Sequence, residues 1–345
     1  MQYEAYSNRD CPRASFDNAL AEQQNIVLQA GSLQDPVGNF AESVCAGLRQ
    51  TPRQLECRFL YDARGSELYE QICAQPEYYL TRTEAAILQQ YATDISRSTG
   101  PCHLIELGSG SSVKTDYLLS AYQARYNNVC YTPIDISATA LTHAGRAITS
   151  KRPNVQVVGT HGTYSDSFQL IGCSSPELII FLGSTIGNFS EEEEHTFWDD
   201  IGRQMQAGDY LLLGVDLVKE EPLLEAAYND AAGVTAAFTT NYFARMNREL
   251  GTAVDLKHIR HVAFFNPDKS RVEIFVEFTR AQEIHIDSQQ QTFAVAAGER
   301  LRIEISRKFC LQTVKETLGS YGFEPVTSYT DDKGWFGLLL FRKRS

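Results

Sequence analysis

A glycine-rich turn placed behind an acid opens the chemistry of this chain. In His103-Leu104-Ile105-Glu106-Leu107-Gly108-Ser109-Gly110 an apolar run ends at two glycines, and helical spacing resumes from about Val113. Glycine permits positive φ and close backbone approach, so strand, tight turn and helix in this order can hug a nucleotide-like group. Val113 stands where a dinucleotide fingerprint would have its third glycine, which argues against nicotinamide binding. Asp135 ends the segment Val129–Asp135, one strand-helix-strand unit after the turn. Its carboxylate can accept from both hydroxyls of a ribose, or cap the helix that follows it in Asp135-Ile136-Ser137. Gly183-Ser184-Thr185-Ile186-Gly187-Asn188 follows the apolar strand 177–182, and the Asn188 amide both donates and accepts, which suits a zwitterionic amino acid. Tyr61, Tyr69, Tyr78 and Tyr79 crowd one short stretch beside turn residues. Such a cluster builds a core, or presents hydroxyls to a ligand.

The elements that must position these groups alternate. Strands are expected at 104–107, 129–135, 155–158, 177–182 and 210–215, with helices at 113–125, 137–149 and 191–205 between them. That order implies a parallel sheet with crossover helices, and ligands then bind beyond the carboxyl ends of the strands. Glu191 to Glu194 fall in a first helical turn, where the dipole favours acids, rather than in a metal site. Upstream, Ser66 is expected to cap one helix and Thr81 or Thr83 the next, with Glu84 near its start. From Asp216 the pattern changes. Residues 219–250 read as largely helical and 258–303 as alternating strands, an insertion of mixed structure. A helix from Lys308 to Tyr321 and a last, antiparallel strand, 335–341, return to the first sheet.

Composition bounds the function. The 345 residues carry 43% apolar and 21% charged side chains, a globular balance long enough for one large or two ordinary domains. A net charge of −12 argues against nucleic acid or an anionic membrane as partner. The stretch from Met1 to Ala30 has no apolar run of signal-peptide or membrane-span length, and the eight cysteines are scattered without zinc spacing. The expectation is a cytoplasmic protein with free thiols, no metal and no membrane partner.

The order acid-x-Gly-x-Gly resembles the first motif of S-adenosylmethionine (SAM) methyltransferases. Leu182-Gly183-Ser184-Thr185-Ile186-Gly187-Asn188 resembles, more specifically, the L-histidine Nα-methyltransferases, which make hercynine for ergothioneine biosynthesis. The likeness extends through Tyr61-Asp62-Ala63-Arg64-Gly65-Ser66, Pro76-Glu77-Tyr78-Tyr79, Asp216-Leu217-Val218-Lys219, Ala227-Tyr228-Asn229-Asp230, Asn247-Arg248-Glu249-Leu250 and Glu304-Ile305-Ser306-Arg307-Lys308-Phe309. It runs from about residue 40 to the C-terminus.

The resemblance implies an α/β fold: a Rossmann-like SAM-dependent methyltransferase sheet from 82–217 and 308–345, and a second α+β substrate-binding domain from 1–81 and 218–307. It implies a monomer that binds SAM and the small-molecule substrate L-histidine. Gly108, Ser109, Gly110, Lys114, Asp135, Thr163 and Tyr164 would contact SAM. Asn188 and Tyr228 would hold the substrate carboxylate, with Gly183 among the substrate-binding residues. Tyr61 and Tyr78, the residues nearest the chemistry, would lie by the amine with Tyr69 beside them, and Glu304 and Ser306 would read the imidazole. Glu304 and Ser306 are two apart, hence on one face of a strand, where a carboxylate and a hydroxyl can engage both ring nitrogens. In one place the chain departs: the family commonly carries Gly-Asp-Phe after the third strand, its acid meeting the adenine amino group. Here Gly162-Thr163-Tyr164 leaves adenine to backbone groups and Tyr164 stacking. The competing readings are an N-methyltransferase of the same fold acting on another amine, and a SAM-binding protein without catalysis.

Overall fold

The computed structural model describes residues 12–29, 36–172 and 176–345. Cys11 and Cys173 lie outside them. The described chain divides into two compact units, one of 1–33, 82–217 and 309–345, the other of 34–81 and 218–308.

The first unit is built on strands that are apolar on both faces. β2 (His103–Leu107) and β5 (Glu177–Phe181) are buried at every position, as strands covered on both sides must be. With β1 (Ile26–Gln29), β3 (Val129–Asp135), β4 (Val155–His161) and β6 (Tyr210–Asp216) they run parallel, and the eight-stranded order is β1-β4-β3-β2-β5-β6-β13-β12. β13 (Phe336–Lys343) is antiparallel to both β6 and β12 (Phe323–Thr330), the expected closing strand. A core of Ile105, Phe181, Phe197, Trp198, Leu213 and Phe341, among others, packs beside this sheet.

The sequence division of the domains needs one correction. It placed residues 1–81 together, yet β1 pairs in parallel with β4, Ile26 opposite Val158, so β1 extends the first unit's sheet. A four-residue strand with a polar approach offers too little periodicity to be noticed. β12 escaped for a related reason: three of its eight residues are exposed, and Pro325 interrupts its alternation.

The second unit is mixed. β7 (Ile259–Asn266), β8 (Arg271–Phe278) and β11 (Arg300–Arg307) form an antiparallel sheet in the order β11-β8-β7, and β9 (Gln282–Ile286) pairs with β10 (Gln291–Val295) as a hairpin. Phe40 packs on Phe59 and Tyr242, with ring centroids 4.8 and 5.6 Å apart. The cap of helix Ala63–Cys73 is Asp62 rather than Ser66: its side chain accepts from Gly65 N–H at 2.7 Å. Gly65 is required there, since a Cβ would lie 1.7 Å from the Leu60 carbonyl oxygen. The next helix starts at Tyr79, before either threonine named as its cap, because Tyr78 and Tyr79 N–H groups already bond back to Gln75 and Glu77. Residues 219–250 hold two helices, Glu221–Ala226 and Val234–Glu249, separated by a turn whose Asp230 accepts from Val234 and Thr235 N–H, both at 2.7 Å.

Candidate functional site

In the first unit the carboxyl ends of β2 to β5 gather most of the residues expected to hold SAM. Gly108 and Gly110 have φ of +71° and +49°, so the turn needs glycine. A Cβ at Gly108 would meet the Tyr164 hydroxyl at 2.8 Å, which seats Tyr164 against the turn. The Ser109 hydroxyl between them is buried with no hydrogen-bond partner. An orphaned hydroxyl inside a glycine turn fits an added polar group.

Asp135 resolves its two sequence readings in an unexpected way. Its Oδ2 accepts from Gly110 N–H and its Oδ1 from Ser137 N–H, both at 2.8 Å, while the helix cap is Ser137. The carboxylate therefore ties the glycine turn to the β3 end. Burial raises its pKa, and the hydrogen bonds from Gly110 and Ser137 oppose that. Thr163 is also committed locally. It caps the short helix Tyr164–Ser167, donating to Asp166 Oδ2 at 2.6 Å and accepting from Asp166 N–H at 3.3 Å. The Tyr164 ring packs edge-on to Phe181, with centroids 5.5 Å apart.

Glu84 is the residue sequence reasoning missed in this unit. It is fully buried, accepts a short hydrogen bond from Lys114 Nζ, and accepts from Gly183 N–H at 2.8 and 3.0 Å. One carboxylate thus holds both the lysine that follows the first turn and the glycine that opens the second. Gly214 makes room for it: a Cβ there would lie 2.1 Å from Glu84 Oε1. Beyond Gly183, Ser184 takes a left-handed φ of +56° and its Oγ accepts from Asp216 N–H at 2.9 Å. Asn188 ends the turn Thr185–Asn188 half-buried.

The acid of the glycine motif has a structural task. Glu106 accepts from Thr115 Oγ1 at 2.6 Å and from the Tyr131 hydroxyl. Burial raises its pKa from 4.5 to about 7, against the lowering effect of those two bonds. A folded pKa above the unfolded one means the protonated acid favours folding. That contribution is full below pH 4.5 and is lost as pH rises through about 7. Glu106→Gln should therefore gain on the wild type by about 3 kcal/mol between pH 4.5 and pH 8, read as the difference in urea unfolding free energy. A constant difference across that range would rule the titration out.

In the second unit the tyrosines form a continuous chain of rings. Tyr61 meets Tyr69 at 5.5 Å, Tyr69 meets Tyr78 at 6.4 Å, and Tyr78 meets Tyr228 at 6.1 Å, all edge to face. Phe238 backs the first two, at 5.5 and 6.3 Å. Tyr79 is set apart, its hydroxyl accepting from Lys219 Nζ at 2.8 Å. Burial raises the pKa of Tyr69 and Tyr78 well above the usual phenol value, so both stay protonated near neutrality. Asp62 anchors the Tyr61 turn through Asn241 at 2.8 Å and Arg248 at 2.6 Å.

The chain of rings leads to β11. The Tyr228 hydroxyl donates to Ser306 Oγ at 2.7 Å, and Lys308 Nζ donates to both oxygens, at 2.9 and 2.8 Å. Lys308, two residues beyond Ser306 in the same sequence motif, is buried beside the two hydroxyls. Tyr228, expected at the substrate carboxylate, is joined in this structure to Ser306, which was expected at the imidazole. Glu304 stands half-buried opposite Ile274, and Ser306 opposite Val272, after a register shift between Arg302 and Glu304. His261 steadies the Tyr228 backbone: its Nε2–H reaches the Tyr228 carbonyl at 2.8 Å and its Nδ1 pairs with Thr239 Oγ1 at 3.0 Å. Burial lowers its pKa, consistent with a neutral ring. The structure thus places Gly183 and Asn188 in the first unit, and Tyr61, Tyr69, Tyr78, Tyr228, Glu304 and Ser306 in the second. Among the described residues no cluster of three His, Cys, Asp or Glu could hold a metal, and no helix is long and apolar enough to cross a membrane.

Comparison with known proteins gives this arrangement a family. Residues 40–343 match the model of the SAM-dependent, histidine-specific methyltransferases. The histidine N-alpha-methyltransferase of Mycolicibacterium smegmatis is 40% identical over 86% of this chain and 92% of its own length. That of Mycobacterium tuberculosis is 36% identical over 91% and 98%. Ergothioneine biosynthesis protein 1 of Neurospora crassa is 29% identical over 85% of this chain, which spans 33% of that longer protein. The chain belongs to the family of SAM-dependent, histidine-specific methyltransferases.

Proposed function

We propose that this enzyme transfers three methyl groups in succession from SAM to the α-amine of L-histidine, giving hercynine for ergothioneine biosynthesis. The observation that carries the substrate is the pairing of Glu304 and Ser306 on one face of β11, in the unit that also holds the tyrosine chain. A carboxylate accepts an imidazole N–H while a hydroxyl engages the other ring nitrogen. An amine without a second ring nitrogen leaves Ser306 unmatched.

SAM supplies a methyl group on a sulfonium that leaves as a neutral thioether, so the protein needs no nucleophile of its own. Its work is positioning. Gly108, Ser109 and Gly110 offer a glycine-lined turn, Asp135 meets the ribose, and Lys114 and Tyr164 complete the cofactor side together with the Thr163 backbone. Gly183 and Asn188 face the substrate carboxylate. Tyr61, Tyr69 and Tyr78 surround the amine, and their ring faces stabilise the growing cation by about 0.5–2 kcal/mol. With Tyr69 and Tyr78 kept protonated by burial, a phenolate base is not at hand. The amine proton passes to solvent, with the tyrosine hydroxyls serving as relay partners.

Mass spectrometry of the protein incubated with SAM and the proteinogenic amino acids tests the reading. The expected product is histidine heavier by three CH2 groups. Methylation of a different amino acid would remove the role given to Glu304 and Ser306. SAM binding without any product would favour a non-catalytic protein.

A further inference from the structure

We infer that Lys308 is a positioning residue that fixes Ser306 as a hydrogen-bond donor, so that the site accepts only the neutral imidazole of its substrate. The inference rests on the histidine reading above and extends it to the protonation state of the ring.

The argument is one of counting valences. A serine hydroxyl has two lone pairs and one proton. At Ser306 one lone pair accepts from Lys308 Nζ at 2.8 Å and the other from the Tyr228 hydroxyl at 2.7 Å. The Tyr228 oxygen itself accepts from Lys308 at 2.9 Å, which directs its proton onward to Ser306. An ammonium has protons to give and no lone pair to receive one. It therefore stands at the root of a short chain in which every proton points away from it, and the proton left to Ser306 is the one it offers to a ligand. A ring nitrogen facing Ser306 must be an acceptor. The other ring nitrogen, facing Glu304, must carry the proton. Imidazolium has N–H on both sides, and one of them would meet the Ser306 O–H head on while Lys308 adds like-charge repulsion.

The surroundings support a fixed polarity. Opposite Ser306 and Glu304, β8 presents Val272 and Ile274, which can neither donate nor accept. The charged residues of β8 nearest in register, Arg271 and Glu273, occupy the alternate positions and bond to each other at 2.5 and 2.8 Å. On the other edge of β11, Arg302 pairs through its backbone with Arg53 and Leu55. Behind Tyr228 stand the protonated phenol of Tyr78 and the His261 ring held on the Tyr228 carbonyl. Among the described residues, Lys308 and Tyr228 bond to Ser306 directly, and Glu304 stands two residues away on the same face.

Calorimetric titration of the full chain with L-histidine, in the presence of S-adenosylhomocysteine, tests this across pH 5.5 to pH 8. A ring-fluorinated histidine, whose imidazole stays neutral throughout, separates protonation of the ligand from protonation of Glu304. For the wild type, the histidine Kd should rise about tenfold per unit below pH 6.5, while that of the fluorinated ligand changes less than about twofold. In Lys308→Met the serine regains a lone pair and the repulsion is gone, so the histidine dependence should shrink to under about threefold or reverse. A wild-type Kd that stays flat or tightens towards pH 5.5 overturns the donor assignment, and Lys308→Met with the wild-type slope overturns the role of Lys308. If Lys308→Met does not fold, Tyr228→Phe frees the other lone pair. A reduced slope in that variant supports the chain of donors, and an unchanged slope overturns it. Absence of binding by either ligand to the wild type at pH 8 is a separate outcome, which removes the histidine reading itself.

Discussion

Glu84→Ala should cost the first unit about 3 kcal/mol, a fall in Tm of roughly 6–12 °C, and should weaken SAM binding at least tenfold. The carboxylate is fully buried and holds two partners that the variant would abandon, the Lys114 ammonium and the Gly183 N–H. Removing one half of a buried ion pair leaves the other half uncompensated, which is why deletion costs more than the intact pair contributes. Lys114 keeps about a quarter of its side chain exposed and can recover some hydration, so the low end of the usual range applies. The Gly183 N–H, on a part-buried turn, loses its acceptor as well. Glu84→Gln separates the two effects. It keeps an acceptor for Gly183 and loses the charge that holds Lys114, so it should recover only the share of the Tm owed to Gly183 while SAM affinity still falls. Differential scanning fluorimetry with and without SAM reads both. An alanine variant with wild-type Tm and affinity would show that the carboxylate ties nothing together.

Why Glu84 was invisible in the sequence is instructive. Its position near a helix start gave it a local explanation as an early-turn acid, and its partners lie 30 and 99 residues away along the chain. Only Gly214, a glycine within the apolar run 211–215 of β6, hinted that something approaches the β6 backbone closely. The parallel strands were legible because uninterrupted Leu, Ile and Val runs have few other uses, and the glycine turns because positive φ demands glycine. β1 and β12 were not, since a short edge strand shows no period. Asp135 was recognised as important for its place at a strand end, but its commitment to Gly110 and Ser137 depends on turn geometry that spacing does not reveal. At Thr163 the sequence showed a hydroxyl where an acid was expected. It did not show that Asp166, one helical turn on, would engage that hydroxyl. Lys308 was hidden by its type: a lysine after a strand reads as solvated, and burial beside Tyr228 and Ser306 is a property of the fold.

Glu304→Ala should raise the KM for histidine about a hundredfold or more and leave SAM affinity unchanged. The expectation follows from what the variant does to a bound imidazole. The ring N–H that the carboxylate would accept is left without a partner in a half-buried site, a loss of about 1.5–3 kcal/mol for a bond to a charged group. Glu304 also brings a negative charge to a substrate whose amine becomes a permanent cation, and the variant loses that attraction. Together these reach the stated factor. Glu304→Gln discriminates between them. Its amide oxygen can still accept the ring N–H, so the hydrogen bond is retained while the charge is lost, and its KM should fall between the other two. If Glu304 were merely a surface strand residue, both variants would keep the wild-type KM. If it were structural, both would lose SAM binding and stability in step with histidine binding. Steady-state kinetics at saturating SAM, with SAM affinity measured separately, distinguishes the three cases, and only a rise confined to the histidine KM supports the imidazole role.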